Sequence, residues 1–70
     1  MLARSKYAIA NADHEFEETI ETNDLLPFKK GEMIIVHVPN DGNNWEYGAC
    51  NGKTGNYPAH LVNRVWSAKR

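Results

Sequence analysis

Residues 45–62 read Trp45-Glu46-Tyr47-Gly48-Ala49-Cys50-Asn51-Gly52-Lys53-Thr54-Gly55-Asn56-Tyr57-Pro58-Ala59-His60-Leu61-Val62, and they carry the strongest local signal in the chain. At the centre, Asn51-Gly52 accepts the positive φ angles of a tight two-residue turn. Apolar and aromatic residues flank this turn, and Pro58 closes the second strand because proline has no N–H to donate to a ladder. The pattern therefore predicts a β-hairpin whose strands cover residues 45–50 and 53–57.

The rest of the chain contains three more candidate strands. Residues 33–38 form the clearest one because they are rich in β-branched side chains. Residues 7–12 form a first strand with alternate alanines on one face; helix propensity also permits a helix there, but one so short is a poor isolated helix. Residues 62–65 add a last edge strand, and residues 58–61 are long enough for one 3₁₀ turn. Five short strands separated by turns predict a small closed β-barrel or sandwich.

The bulk properties fit one small domain. The chain has 70 residues, a net charge of −1 and 41% apolar residues, and at this size one hydrophobic core is barely sufficient. The charge offers no basic stripe for a nucleic acid or an anionic membrane. The longest apolar run, residues 33–36, is too short to span a bilayer. A single cysteine, Cys50, excludes an internal disulfide, which favours a reducing, cytoplasmic setting.

We find no pattern typical of an active site or a cofactor. Cys50 falls in a strand beside a tight turn, where a buried structural thiol is expected. His14, His37 and His60 do not have the spacing of zinc ligands. The acidic residues lack the alternating register of a calcium loop, and the glycines match no phosphate-binding pattern. The sequence therefore predicts a binding module without metal or cofactor, and not an enzyme.

Two blocks of the sequence resemble the Src homology 3 (SH3) family. In residues 45–62, Trp-x-x-Gly is followed by Gly-Lys-x-Gly and then by an aromatic residue, proline and valine. The block Leu25-Leu26-Pro27-Phe28-Lys29-Lys30-Gly31-Glu32-Met33-Ile34-Ile35-Val36 is similar to the family's Leu-x-Phe-x-x-Gly-acid-x-Ile segment. The resemblance covers residues 7–65. It implies an all-β fold, a five-stranded SH3-like barrel of two packed antiparallel sheets with one short 3₁₀ turn. Residues 1–6 are then a flexible lead and residues 66–70 a C-terminal tail.

The resemblance also implies a groove for proline-rich peptides in the polyproline II form. Trp45 and Pro58 match the family's groove tryptophan and proline directly. The opening Ala-Leu-Tyr-Asp-Tyr motif maps onto residues 12–16, and another register starting at Ala10 stays open. The groove then comprises five residues: His14, Phe16, Trp45, Pro58 and Leu61. Three of these replace tyrosines, so the groove has lost polar tips that would contact peptide carbonyls.

An acidic loop is expected to lie beside this groove. Its four candidate residues are Glu17, Glu18, Glu21 and Asp24. In the family such a loop pairs with an arginine or lysine on the peptide, whereas the family's acid just before Leu-x-Phe falls here on Leu25. The alternative is that these side chains only make the surface soluble. By alternation and family position, we assign six residues to the core: Leu26, Phe28, Met33, Ile35, Ala49 and Val62.

Two functions from different classes follow. The first is a peptide-recognition module, monomeric as an isolated domain, in a larger adaptor, signalling or cytoskeletal protein at the cell cortex or actin cytoskeleton. The double leucine before the phenylalanine resembles myosin tails. The second is a structural domain with a degenerate groove that docks within its own protein. A small nucleic-acid-binding barrel is disfavoured by the charge balance.

Overall fold

The computed structural model describes residues 2–40 and 42–68. Five strands, β1 to β5, run over Leu2–Ala10, Met33–Val38, Trp45–Cys50, Lys53–Pro58 and Val62–Ala68. They pair antiparallel in the order β4-β3-β2-β1-β5, and their inward side chains meet in one core. The predicted five-stranded all-β fold is confirmed. Two short 3₁₀ turns are present, the predicted one at Ala59–Leu61 and a second one at Ile20–Thr22 within the acidic loop.

Two strands differ from their predicted bounds. β1 begins at Leu2 and ends at Ala10, so Ala12 lies beyond it, and β5 continues to Ala68. The added residues pair with one another, because Leu2 lies opposite Ala68 and Arg4 lies opposite Trp66. The paired strands thus extend past the predicted domain bounds of 7 and 65. The flexible lead and the tail stay predictions, and residues 1, 69 and 70 lie outside the described part of the chain.

The central hairpin forms as predicted. Asn51 has a φ of 53° and Gly52 a φ of 78°, and Cys50 pairs with Lys53 across them. Asparagine and glycine tolerate this left-handed region, which is why they suit a two-residue turn. Cys50 is 5% exposed, and burial raises the pKa of its thiol, with Glu32 adding to the shift. The predicted burial of the Cys50 thiol is confirmed.

The inner face of β2 is the opposite of the one we predicted. Ile34 is fully buried and Val36 is 7% exposed, whereas Met33 and Ile35 are 54% and 38% exposed. Successive side chains of a strand point to opposite faces, so a shift of one residue exchanges the whole set. The assignment of Met33 and Ile35 to the core was therefore wrong. All four residues are apolar, so the sequence has no alternation here to mark the face.

The core is built around Tyr57, Leu26 and Ile34, which are all fully buried. The ring of Tyr57 meets that of Phe28 edge-on at 5.8 Å between centroids. The predicted core positions Leu26 and Phe28 are confirmed, and Val62 packs against the same cluster while partly buried. The assignment of Ala49 to the core was wrong, because it lies on the half-buried outer face of β3. Leu26 and Phe28 belong to no strand, so the loop that leads into β2 supplies two of the main core side chains.

A buried polar network crosses one side of this core. Glu46 is 6% exposed, and its Oε1 accepts a hydrogen bond from the Tyr57 hydroxyl at 3.0 Å. Its Oε2 accepts from Arg64 Nη2 at 3.1 Å and from the backbone N–H of Asn40 at 3.0 Å. Burial raises the pKa of Tyr57 far above its ordinary value of 10.0, and the negative charge of Glu46 adds to this shift. The carboxylate is therefore buried with three donors around it.

Replacing Tyr57 by phenylalanine tests this network. Tyr57→Phe removes a donor from a buried carboxylate and should lower the free energy of unfolding by about 1–3 kcal/mol at neutral pH. The native pKa is raised, so the unfolded chain loses the tyrosine proton first once the pH passes 10.0. Wild-type stability then falls with rising pH, while the phenylalanine variant lacks that titration. The stability gap between the two proteins should narrow above this pH.

Urea unfolding followed by tryptophan fluorescence across the alkaline range measures that gap. Tyr47→Phe is the control, because Tyr47 lies on the same strand as Glu46 but on the half-buried outer face of that strand. This substitution should lower the free energy of unfolding much less at neutral pH. A gap that stays constant through the alkaline range would contradict the role given to Tyr57.

Candidate functional site

Trp45 and Pro58 form one exposed surface at the end of the hairpin. They lie opposite each other in the β3–β4 ladder, where Trp45 is 41% exposed and Pro58 half-buried. The N–H of Ala59 donates to the carbonyl of Asn44 at 3.0 Å, which holds the 3₁₀ turn against the start of β3. The two predicted groove residues matched most directly by motif are thus neighbours in space.

The end of the acidic loop lies along the edge of β4. The N–H of Asn56 donates to the Asp24 carbonyl at 2.8 Å, and the N–H of Leu26 donates to the Asn56 carbonyl at 2.9 Å. The Asn56 side-chain amide donates a further bond to the Asp24 carbonyl at 3.1 Å. These bonds close a cleft of about 310 Å³ that is lined by Asp24, Leu25, Trp45 and Asn56.

Gly55 permits this close approach. A Cβ at position 55 would lie 2.6 Å from the carbonyl carbon of Leu25 and 2.7 Å from the nitrogen of Leu26. Both are backbone atoms, so they cannot move aside as a flexible side chain could. Any larger residue at position 55 would push the loop away from β4 and open the cleft.

The rings of His14 and Phe16 contact each other at the base of the acidic loop. Their ring centroids lie 5.0 Å apart in an edge-on arrangement, and the ring of His14 also meets that of Phe28 at 5.3 Å. His14 Nδ1 lies 2.7 Å from the Leu26 carbonyl. Because a carbonyl only accepts, Nδ1 carries the proton in this bond. Both residues are half-buried, and the backbone of His14 is bonded to that of Phe28.

Leu61 connects the 3₁₀ turn to the strand before the loop. It is half-buried and packs against the core, and its carbonyl accepts from the N–H of Asn11 at 2.8 Å. The side-chain amide of Asn11 also donates to the His60 carbonyl at 3.1 Å and to Asn63 Oδ1 at 2.9 Å. Leu61 is therefore held beside the segment that leads to His14. The groove roles of His14, Phe16 and Leu61 stay predictions.

The four acidic residues do not act as one patch. Asp24 is the one of the four that lines the cleft. The carboxylate of Glu18 pairs with Lys53 Nζ at 2.9 Å. Hydrogen bonds to its own backbone N–H and to Thr19 lower the pKa of Glu21. Glu17 contributes a backbone carbonyl that accepts from Thr22 Oγ1 at 3.0 Å.

Leu25 and Asn56 line the cleft but were not predicted as site residues. A signal existed for each of them. Leu25 occupies the position of the family's acid, and Asn56 stands where some members carry an aromatic residue. Both positions become part of the site only because the loop pairs with β4, which is a tertiary contact that the local sequence does not show.

A larger cleft of about 370 Å³ shares no lining residue with the first one. Asn40, His60, Glu46 and Arg64 are among its lining residues. Glu46 and Arg64 are already bonded to each other, and most of this lining is polar. We therefore place the candidate site at the smaller cleft, where an exposed aromatic ring meets a carboxylate.

Residues 2–40 and 42–68 contain neither a cluster of metal-ligating side chains nor a helix that could span a membrane. In these residues no three or more histidine, cysteine or acidic side chains gather as metal ligands. No helix within the same ranges has the length and apolar character needed to cross a bilayer.

Comparison with solved structures identifies the class of protein. An SH3 domain from a Saccharomyces cerevisiae hypothetical 40.4 kDa protein is 34% identical, with a TM-score of 0.74, over 90% of this chain and 100% of that one. The Acanthamoeba myosin I SH3 domain is 33% identical, with a TM-score of 0.71, over 90% and 100%. No family model matches the chain. The chain belongs to the SH3 family.

Curated relatives place similar domains in much longer proteins. The chain is 37% identical over 58 residues to the myosin-I heavy chain of Dictyostelium discoideum, which is 83% of this chain and 2% of that protein. It is 36% identical over 62 residues to human Rho guanine nucleotide exchange factor 7, which is 89% of this chain and 7% of that protein. The chain therefore spans less than a tenth of the length of these relatives.

Gly55→Ala tests whether the loop depends on the close approach to β4. The added methyl group would meet backbone at 2.6 Å, and such overpacking costs about 1–3 kcal/mol. We expect lower stability to urea together with faster amide exchange at Leu26 and Asn56. Gly52→Ala is the control, because an alanine there would be strained by the φ of 78° but would have nothing within 4 Å of its Cβ. Unchanged exchange at Leu26 and Asn56 in the Gly55 variant would show that the loop does not need the glycine.

Proposed function

We propose that the chain is a protein–protein interaction module that binds proline-rich peptides in the polyproline II form. The observation that carries the proposal is the exposed Trp45–Pro58 surface beside a cleft with a carboxylate. A polyproline II helix is stiff before binding, so it loses little conformational entropy when it docks on aromatic side chains. The related yeast SH3 domain was solved in complex with a peptide, and the Acanthamoeba domain was solved bound to Acan125.

The cleft favours a basic residue next to the proline motif. The carboxylate of Asp24 is exposed and accepts no hydrogen bond from the part of the chain that the structure describes. Trp45 offers an aromatic face at the same cleft, and such a face attracts an arginine or lysine cation. Asp24 thus takes the role of the acid that the family has at the position of Leu25. Glu17, Glu18 and Glu21 add long-range attraction, which weakens with salt.

His14, Phe16 and Leu61 complete the groove in this proposal with fewer polar contacts than tyrosines would give. Each missing hydrogen bond to a peptide carbonyl costs roughly 0.5–1.5 kcal/mol. We therefore expect modest affinity and a ligand preference that differs from that of domains with all three tyrosines. The same loss of polar groups supports the second candidate function, a structural domain that docks within its own protein.

The relatives support a proposal for the cellular setting. Two of the curated relatives are myosin-I heavy chains, and the others are a Rho exchange factor and human Nostrin. We place the chain in a larger cytoplasmic, cytoskeletal or signalling protein, as a monomeric domain that recruits partners and does not catalyse a reaction. A net charge of −1 supports protein partners in preference to nucleic acids or anionic membranes.

An amide NMR titration with proline-rich peptides, with and without a flanking arginine, tests the proposed function. Trp45→Ala should lower the affinity for every peptide by roughly 30-fold, since tryptophans at interface centres contribute about 2 kcal/mol or more. Asp24→Asn should lower the affinity for the arginine-flanked peptide by up to roughly fivefold and leave the affinity for the other peptide unchanged. Glu15→Gln is the matched control, because Glu15 is exposed and pairs with Lys29 at 3.4 Å, away from the cleft. Absence of shifts at millimolar peptide would favour the docking domain.

Lys53→Gln tests the contribution of the loop charge. Lys53 holds the carboxylate of Glu18 at 2.9 Å, so its removal frees a negative charge for the peptide. We expect affinity for basic peptides to rise by no more than about fivefold and its salt dependence to become steeper. Lys29→Gln is the control, since it frees Glu15 instead. Equal effects of the two substitutions would mean that only net charge matters.

A further inference from the structure

Glu32 connects two turns that are distant in sequence. Its Oε1 accepts from the backbone N–H of Lys29 at 2.7 Å, and its Oε2 accepts from Asn51 Nδ2 at 2.6 Å. The bond from Asn51 is the main cause of a lowered pKa for Glu32, and the Lys29 N–H contributes next. The Glu32 side chain is therefore a carboxylate that ties the turn before β2 to the tip of the β3–β4 hairpin.

Asn51 stands in a chemically distinctive position. It is exposed, and it is followed by a residue without a Cβ, Gly52. The ladder bonds around the turn belong to Cys50 and Lys53, and the N–H of Gly52 makes no backbone bond within the described ranges. Nothing lies within 4 Å of the place where a Cβ of Gly52 would be. No neighbouring group therefore crowds Gly52 on the side where other residues carry a Cβ, and it is the nitrogen of this residue that follows Asn51.

We propose that Asn51 is a modification site that converts spontaneously to aspartate and isoaspartate. The deprotonated backbone nitrogen of Gly52 attacks Cγ of Asn51 and forms a new C–N bond. The side-chain nitrogen leaves as ammonia and takes up a proton, which closes a five-membered succinimide. Water then adds to either ring carbonyl and reopens the ring, so no oxidant or reductant is needed. Asparagine is a thermolabile residue in general, and glycine lacks the Cβ that crowds this attack.

The structure gives this conversion a mechanical consequence. The aspartate product carries a carboxylate where Asn51 now donates its amide to Glu32 at 2.6 Å, and the isoaspartate product carries its free carboxylate on Cα. An attraction between the two turns becomes a repulsion between like charges. The isoaspartate product also adds a backbone carbon to a turn whose length fixes the strand register. Trp45 and Pro58 lie at the other end of the hairpin. Conversion of Asn51 should therefore lower the stability of the domain before it changes the groove.

The first test follows conversion in the intact chain at neutral pH by peptide mass spectrometry. Asn44 is the internal control, because it is also exposed and has a φ of 68° against 53° for Asn51, but Trp45 follows it. Conversion at Asn51 should be roughly tenfold faster or more, since glycine leaves its nitrogen uncrowded. Equal rates at the two sites, or no conversion at Asn51, would overturn the proposal.

The second test measures the consequence. Asn51→Asp should lower the urea midpoint relative to wild type, and adding Glu32→Gln should restore part of the loss by removing the repulsion. Shifts of the Trp45 indole on peptide addition should stay as in wild type, which separates this result from the proposed peptide function. A midpoint unchanged by Asn51→Asp, or a loss that Glu32→Gln deepens, would show that the two turns are not coupled through this pair.

Discussion

The contact between the acidic loop and the edge of β4 is the constraint on which both the fold and the site depend. An exposed strand edge invites pairing with other chains, and proteins commonly cover such edges. Here residues 24–26 cover it with three hydrogen bonds to Asn56, and Gly55 leaves room for their backbone. The same contact carries Leu26 into the core and sets Asp24 beside Trp45. One short segment therefore protects the sheet, fills the core and builds the cleft.

Tyr57 joins the apolar core to the buried polar network. Its ring packs against Phe28 and its hydroxyl bonds to Glu46, so one side chain belongs to both. A buried ion pair often adds little net stability, because desolvation offsets the attraction, but a partner left alone is costly. Glu46 and Arg64 are accordingly accompanied by further donors. The network fixes how β3, β4 and β5 are placed relative to one another.

Local chemistry made much of the fold predictable. The Asn51-Gly52 turn needs residues that tolerate positive φ, and the tryptophan and proline blocks mark the family. The sequence could not show which face of residues 33–36 is buried, because all four are apolar and only the pairing with β1 and β3 decides it. The burial of Glu46 was equally hidden, since its partners Tyr57 and Arg64 are brought to it by folding. The cleft could be predicted only in part. Trp45 follows from its motif, whereas Asn56 lines the cleft because the loop pairs with β4.

The pairing of Leu2 with Ala68 and of Arg4 with Trp66 has a consequence for load. The two outer ends of β1 and β5 lie side by side in an antiparallel ribbon. A force that pulls these two ends apart acts along the hydrogen bonds between β1 and β5, so the bonds break in sequence from the outer end inward. Shearing the strands lengthwise would instead load all the pairs together. Tension along the chain would therefore peel the ribbon at low force before it reached the core, and the groove would stay intact while the ribbon opened.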